Sequence, residues 1–258
     1  MKNLLIYINP EHRFVNSDWQ DETDVLAKIQ IDNSLEMGWK PEDIILVTNF
    51  PYEHNGVKAI EIGDENYCAH SSGTPSKILA ILDLFDKGLI EDDLYFFHDF
   101  DCFQLEPITK EELGMKEGQI GITNYGHRRR DKIILERWST GTIFFDNKTR
   151  DIFQWIKDSM YKYMSNEEVA LLVMTRHNDH NLLDRINKLN ISYNLATRRR
   201  DIMACYADAI KPLRMIHFHP TDPRLTSLGT PNMEAVKQFL PERLLNIFKK
   251  YEINYING

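Results

Sequence analysis

Short unbroken apolar runs, separated by longer stretches with apolar residues at helical spacing, set the plan of this chain. Leu4–Ile8, Ile44–Val47, Val57–Ile62, Leu94–Phe97 and Ile120–Thr123 are each four to six residues long. Runs of that length read as strands, and Leu94–Phe97, unbroken and aromatic, as one buried on both faces of a parallel sheet. Between them, Ser17 or Asp18 caps a helix whose first turn carries Asp21 and Glu22 and whose stop is Gly38. A second helix starts at Thr74 as N-cap with Pro75 in its first turn, and Gly88 ends it. Ser139-Thr140-Gly141 reads as a small-residue turn entering a strand through Phe145. From Arg150 the period becomes helical: Ile152, Trp155, Ile156, Met160 and Tyr163 share one face, Val169, Leu171, Leu172 and Met174 another, and Asn178 to Leu183 opens a further helical turn. Leu213–Pro220 is a last strand with His217 and His219 on one face, and Asn232–Tyr251 an amphipathic helix interrupted at Pro241. Alternating strands and helices predict an α/β fold, Rossmann-like, with a mostly parallel central sheet flanked by helices.

The chemistry concentrates at the end of one strand. Leu94–Phe97 leads into His98-Asp99-Phe100-Asp101, the one Asp-x-Asp in the chain. If the backbone stays extended, both carboxylates point the same way, and their repulsion favours a divalent cation beside them. The carboxyl ends of strands are also where open α/β sheets bind ligands. At mid-chain after a buried strand, the pair predicts a metal site, with a solvated strand end as the plainer alternative.

Composition narrows the function. With 258 residues, 42% of them hydrophobic, the chain can form one large domain or at most two small ones. A formal charge of −8 argues against a general nucleic-acid or membrane-surface binder. Arg128-Arg129-Arg130 and Arg198-Arg199-Arg200 fall in predicted loops, as solvated faces or as a grip on a phosphate-bearing acceptor. Cys68, Cys102 and Cys205 form no CxxC pair and are odd in number, which fits a reducing compartment. The run Leu4–Ile8 is too short for a signal-peptide core and no apolar run approaches 18 residues, so a soluble cytoplasmic protein is expected.

Five marks together resemble the GT-A nucleotide-sugar glycosyltransferases, especially the glycogenin-like and bacterial lipopolysaccharide galactosyltransferase group. They are the first strand with Asn9-Pro10, the helix beginning near Lys77, Phe97-His98-Asp99-Phe100-Asp101, Ser139-Thr140-Gly141 before Phe144-Phe145, and His217-Phe218. The resemblance implies a transferase domain over residues 1–220, with a nucleotide-binding half at 1–104 and an acceptor half at 105–220, followed by a C-terminal helical extension at 221–258. It makes Asp99 and Asp101 a DxD motif holding Mn²⁺ or Mg²⁺ against a donor diphosphate, with Ile8, Asn9, Lys77 and Asp99 on the donor side. In the family a histidine from a His-aromatic-x-Gly pattern completes the metal shell. Here His217-Phe218-His219-Pro220 has proline in the glycine position, so His217 is preferred and His219 is the substitute. The family's Asp-Gln pair beside the reacting sugar aligns either with Asp179-His180 or with Glu167-Glu168, giving Asp179 and Glu168 as catalytic candidates. Ser139 to Gly141 would line the acceptor side. The implied partners are a UDP- or GDP-sugar and a hydroxyl acceptor on a glycan, a protein or a modified nucleic acid. Two competing readings are a metal-dependent hydrolase or phosphatase, whose motifs belong elsewhere in the chain, and a polyanion-binding module built on the arginine clusters.

Overall fold

The computed structural model describes residues 1–8, 17–69, 73–125, 127–129, 132–135, 137–197, 202–218 and 236–252, with side chains from Val25 onward in the first helix and none between 126 and 136. In chain order the strands are β1 (Lys2–Tyr7), β2 (Ile44–Thr48), β3 (Glu53–His54), β4 (Val57–Lys58), β5 (Ile60–Glu61), β6 (Tyr95–His98), β7 (Cys102–Gln104), β8 (Ile120–Asn124), β9 (His127–Arg129), β10 (Lys132–Leu135), β11 (Trp138–Phe145), β12 (Ile186–Leu189), β13 (Leu195–Ala196) and β14 (Met215–His217). The helices are α1 (Ser17–Glu36), α2 (Ser76–Asp86), α3 (Lys110–Leu113), α4 (Arg150–Tyr163), α5 (Glu167–His177), α6 (Ile202–Asp208) and a closing helix, α7 (Glu242–Lys250).

Seven strands form one sheet in the order β12-β8-β11-β6-β1-β2-β5. Neighbours run parallel except around β11, which is antiparallel to both β6 and β8. Side chains alternate across it, so the apolar runs feed two cores. Leu4, Val47, Tyr95 and Phe97 pack with α2, α4 and α5 on one face, while Leu5, Tyr7 and Leu46 pack with Ala27 and Ile31 of α1 on the other. A three-stranded sheet, β13-β14-β7, leans on a separate cluster in which Phe103, Ile216 and Phe218 meet Ile247 and Phe248 of α7. The helix stops fall where expected, with Gly38 at φ +89° and Gly88 at φ +67°.

Several local expectations are corrected. Val57–Ile62 is not one strand. Asn55 and Gly56, at φ +47° and +80°, turn β3 into β4 as a small hairpin, and only β5 joins the main sheet. Ser139-Thr140-Gly141 is not a turn but lies inside the fully buried β11, where the pairing with β8 shifts register between Ser139 and Ile143, a bulge. The segment around Arg128 and Arg129 is a hairpin, β9–β10, not a loop. Asp179–Arg185 is a 3₁₀ turn kinked by left-handed His180 and Asn181. The interruption at Pro241 is where expected: residues 236–237 are helical, the chain turns before Pro241, and the helix resumes at Glu242, while residues 232–235 lie outside the described residues.

Candidate metal centre

β6 ends at His98 and β7 begins at Cys102. The residues between them turn, with the Cys102 amide donating to the Asp99 carbonyl at 3.0 Å. The extended backbone expected for the acid pair is therefore absent. The carboxylates meet because a tight turn, not strand alternation, brings them to one side. The turn lies at the carboxyl edge of the main sheet, where β1 and β6 run parallel.

The third group arrives from the other sheet. β14 pairs antiparallel with β7, which sets His217 opposite Cys102, and the Phe218 amide donates to the Asp101 carbonyl at 2.8 Å. His217 Nε2 is 3.2 Å from Asp101 Oδ1, and one ligand atom each from Asp99, Asp101 and His217 lie within 4.8 Å of one another. Its other nitrogen, Nδ1, is 2.9 Å from Asn194 Oδ1, and Asn194 Nδ2 donates to Ser139 Oγ at 3.0 Å. That chain orients the amide and makes Nδ1 the donor, so Nε2 is turned toward the carboxylates. The ring packs close against Gly141, where a Cβ would come within 2.6 Å of Nδ1 and closer still to Cε1.

A lysine closes the opposite side. Lys77 Nζ donates to Asp99 Oδ1 and Oδ2 at 2.9 and 3.0 Å and to the Thr140 carbonyl at 3.2 Å, and it lies 3.1 Å from Glu167 Oε1. Burial opposes its charge, but Asp99 and Glu167 outweigh burial and raise its pKa. Burial raises the Asp99 pKa and Asp101 adds to the rise, with Lys77 pulling the other way. At His217, burial disfavours the cation, yet the attraction of Asp101 and Asp99 prevails and the pKa is raised. Burial holds His98 down to about 4, so it is neutral behind the turn. Two carboxylates and one imidazole form an oxygen-rich donor set that suits Mn²⁺ or Mg²⁺ better than soft thiolate-seeking metals, and the missing side chain at Gly141 lets the His217 ring sit where it does.

No protein-family model matches the sequence, and no curated protein matches it either. Solved structures do match in three dimensions. Galactosyltransferase LgtC, solved with donor and acceptor sugar analogs, superposes with a TM-score of 0.56 at 13% identity over 97% of this chain and 96% of that one. The glycosyltransferase GlyE of Streptococcus pneumoniae TIGR4 gives 0.54 at 13% identity over 98% of this chain and 65% of its own. Mouse xyloside xylosyltransferase 1 gives 0.52 at 11% identity over 86% and 98%. The fold is the GT-A glycosyltransferase fold. Within this GT-A fold the acid turn, Lys77 and His217 all converge on the carboxyl edge of the parallel strands.

The remaining residues singled out in the sequence divide clearly. Ile8 follows β1 and packs, partly buried, on the main core. Asn9, His219 and Arg198 to Arg200 lie outside the described residues, as does Arg130. Glu168 reaches the site, its Oε1 accepting from the Thr140 amide at 3.2 Å. Asp179 is exposed at the start of the 3₁₀ turn, and no described hydrogen bond or ion pair joins it to the acid cluster. Glu167 is buried, accepts from Thr140 Oγ1 at 2.8 Å, and has an Oε2 with no hydrogen-bond partner among the described residues. In the sequence Glu167 is half of an alternative alignment, while Asn194 gives no signal at all. All three cysteines are buried and outside any disulfide, and burial lifts the Cys102 thiol well above its ordinary pKa. Among the described residues no helix is long and apolar enough to cross a membrane.

Proposed function

We propose that this chain is a metal-dependent glycosyltransferase that moves a sugar from a nucleoside diphosphate sugar to a hydroxyl acceptor. The observation that carries the reading is the convergence of Asp99, Asp101 and His217 from two sheets onto one point at the ligand-binding edge of a GT-A fold. These three residues would hold Mn²⁺ or Mg²⁺, which when bound supplies positive charge for the diphosphate leaving group. UDP- and GDP-sugars are the donor classes to test first.

The chain's own groups divide the remaining work. Lys77 holds Asp99 and Glu167 at fixed separation and keeps positive charge in a buried acidic site. Glu167, buried, accepts from Thr140 Oγ1 and pairs with Lys77, and so fixes the lysine beside Asp99. Glu168, held by the Thr140 amide and only half-buried, is the acidic group we assign beside the reacting carbon. Of the two candidates for that place, it is the one the fold joins to β11 beside Gly141. The test is release of nucleoside diphosphate from a panel of donor sugars with Mn²⁺, followed by repetition with Asp101→Ala. Metal-dependent release that the substitution abolishes supports the reading; no release from any donor, with or without a supplied hydroxyl acceptor, contradicts it.

A further inference from the structure

The carbonyls of the acid turn are all engaged. The Asp99 carbonyl accepts from Cys102 N at 3.0 Å and faces His98 Nδ1 at 3.3 Å, and the Asp101 carbonyl accepts from Phe218 N at 2.8 Å. The two that remain, those of Phe100 and Cys102, accept from a single side-chain nitrogen. Gln30 Nε2, on α1, donates to them at 2.8 and 2.9 Å. One amide group thus bridges the middle and the exit of the turn that carries both aspartates.

Gln30 is itself fixed from behind. Its main-chain carbonyl accepts from Ser34 Oγ at 2.7 Å, Ser34 Oγ accepts from Asn3 Nδ2 at 2.8 Å, and Asn3 Oδ1 lies 3.1 Å from His98 Nε2. Gln30 and Asn3 are wholly buried, and His98 and Ser34 are 1% and 2% exposed. The circuit therefore starts on the strand before the turn, crosses β1 and α1, and returns to the turn. A buried polar network is costly unless it is nearly satisfied, so one aimed at a short stretch of backbone fixes that stretch tightly. The hydrogen bonds of this circuit reach the turn through its backbone.

We infer that Gln30 is a positioning residue for the metal centre, setting the separation and direction of the Asp99 and Asp101 carboxylates through their backbone. The inference rests on the metal reading proposed above and goes beyond it. Without the two N–H donors the turn loses this side-chain tether to α1, and carboxylates that are free to spread bind a cation less well. Outer groups that orient metal ligands are worth about 10–100-fold in metal affinity.

Asn33 supplies an internal control. It lies one turn further along α1, is 1% exposed, and donates through Nδ2 to the Gln104 carbonyl at 3.0 Å, at the far end of β7 from the acid turn. Both side chains are buried amides holding β7 backbone, and in each the amide oxygen has no partner among the described residues. They differ in whether the tether ends on the acid turn.

The experiment compares wild-type, Gln30→Met and Asn33→Leu proteins by isothermal titration with Mn²⁺ and by thermal unfolding in chelator. Both substitutions lower the unfolding temperature, and Gln30→Met alone weakens Mn²⁺ binding, by about 10–100-fold. If Gln30→Met does not fold, Gln30→Asn, whose shorter amide cannot span both carbonyls, is read in the same way with a smaller loss expected. An unchanged Mn²⁺ affinity in the folded Gln30 variant overturns the positioning role, and so does an equal loss in Asn33→Leu, because the effect would then be general destabilisation. Failure of the wild-type chain to bind Mn²⁺ overturns the metal reading itself, and this role with it.

Discussion

Gly141 offers the sharpest single-atom perturbation of the site. A Cβ added there would sit 2.6 Å from His217 Nδ1, about 0.9 Å inside the roughly 3.5 Å at which such atoms attract. The clash is with a buried ring pinned by Asn194, not with the free end of a long side chain. The ring or β11 must therefore move by most of an ångström, several times the roughly 0.2 Å latitude of a metal–ligand distance. Overpacking of this kind costs about 1–3 kcal/mol, or roughly 2–12 °C in Tm for a chain of this size. In titrations with Mn²⁺, Gly141→Ala should bind at least about tenfold more weakly than wild type, in the range seen when a ligand's surroundings are disturbed. Combining it with His217→Ala should add little to the loss caused by His217→Ala alone, because the clash needs the ring. A Gly141→Ala protein with wild-type Mn²⁺ affinity, or additive losses in the double variant, would refute the reasoning.

Two further predictions probe the charges around the site and the clasp on the closing helix. Lys77→Met leaves buried Glu167 and half-buried Asp99 beside each other without their cation, a loss smaller than the about 3–5 kcal/mol of a fully buried pair, and Mn²⁺ should then restore more thermal stability than it adds to wild type; an unchanged Tm in chelator would contradict this. Asp32 is buried among Asn55 and Lys250 at 2.6 Å, the Tyr251 hydroxyl at 2.8 Å and His54 at 2.9 Å, a knot that ties α1 and the β3–β4 hairpin to the end of α7. Burial pushes its pKa up, but the hydrogen bonds from Lys250, Tyr251, His54 and Asn55 outweigh burial and hold it below the ordinary 3.8. Because the folded value is the lower one, the stabilisation is fully present above the ordinary value and is lost as pH falls through the folded one. Asp32→Ala should cost about 1.5–3 kcal/mol, or roughly 3–10 °C in Tm near pH 6. The gap from wild type should close in melts below about pH 4; a gap that stays constant into acid would contradict the assignment.

Much of the fold was legible because the central strands β1, β2 and β6 are short, apolar and mostly buried, and are bounded by polar residues or Pro. Leu4 and Leu5 feed opposite cores, and that is why their run shows no alternation. The acid pair was legible from composition alone, but its geometry was not, since nothing in Asp99-Phe100-Asp101 announces a turn whose shape depends on carbonyl partners as distant as Gln30 and Phe218. Ser139-Thr140-Gly141 looked like a turn because small polar residues favour turns. In the structure Thr140 bonds Lys77 and Glu167, Ser139 accepts from Asn194, and Gly141 is small because the His217 ring fills the space a Cβ would need. The polar inner face of α1, with Gln30, Asn33 and Ser34 buried, breaks the apolar periodicity that marks a core-facing helix. Its partners are backbone atoms some 70 residues away, and local sequence carries no trace of them.

The central claim is that Asp99, Asp101 and His217 hold a divalent cation that in turn holds a nucleoside diphosphate. Thermal unfolding of wild-type and Asp101→Ala proteins with UDP, GDP, CDP and dTDP, each with and without Mn²⁺, tests it most directly. One nucleotide should raise the wild-type Tm only when Mn²⁺ is present, and Asp101→Ala should remove that rise. A wild-type Tm unmoved by every metal and nucleotide pair, or a rise that survives in Asp101→Ala, would contradict the claim.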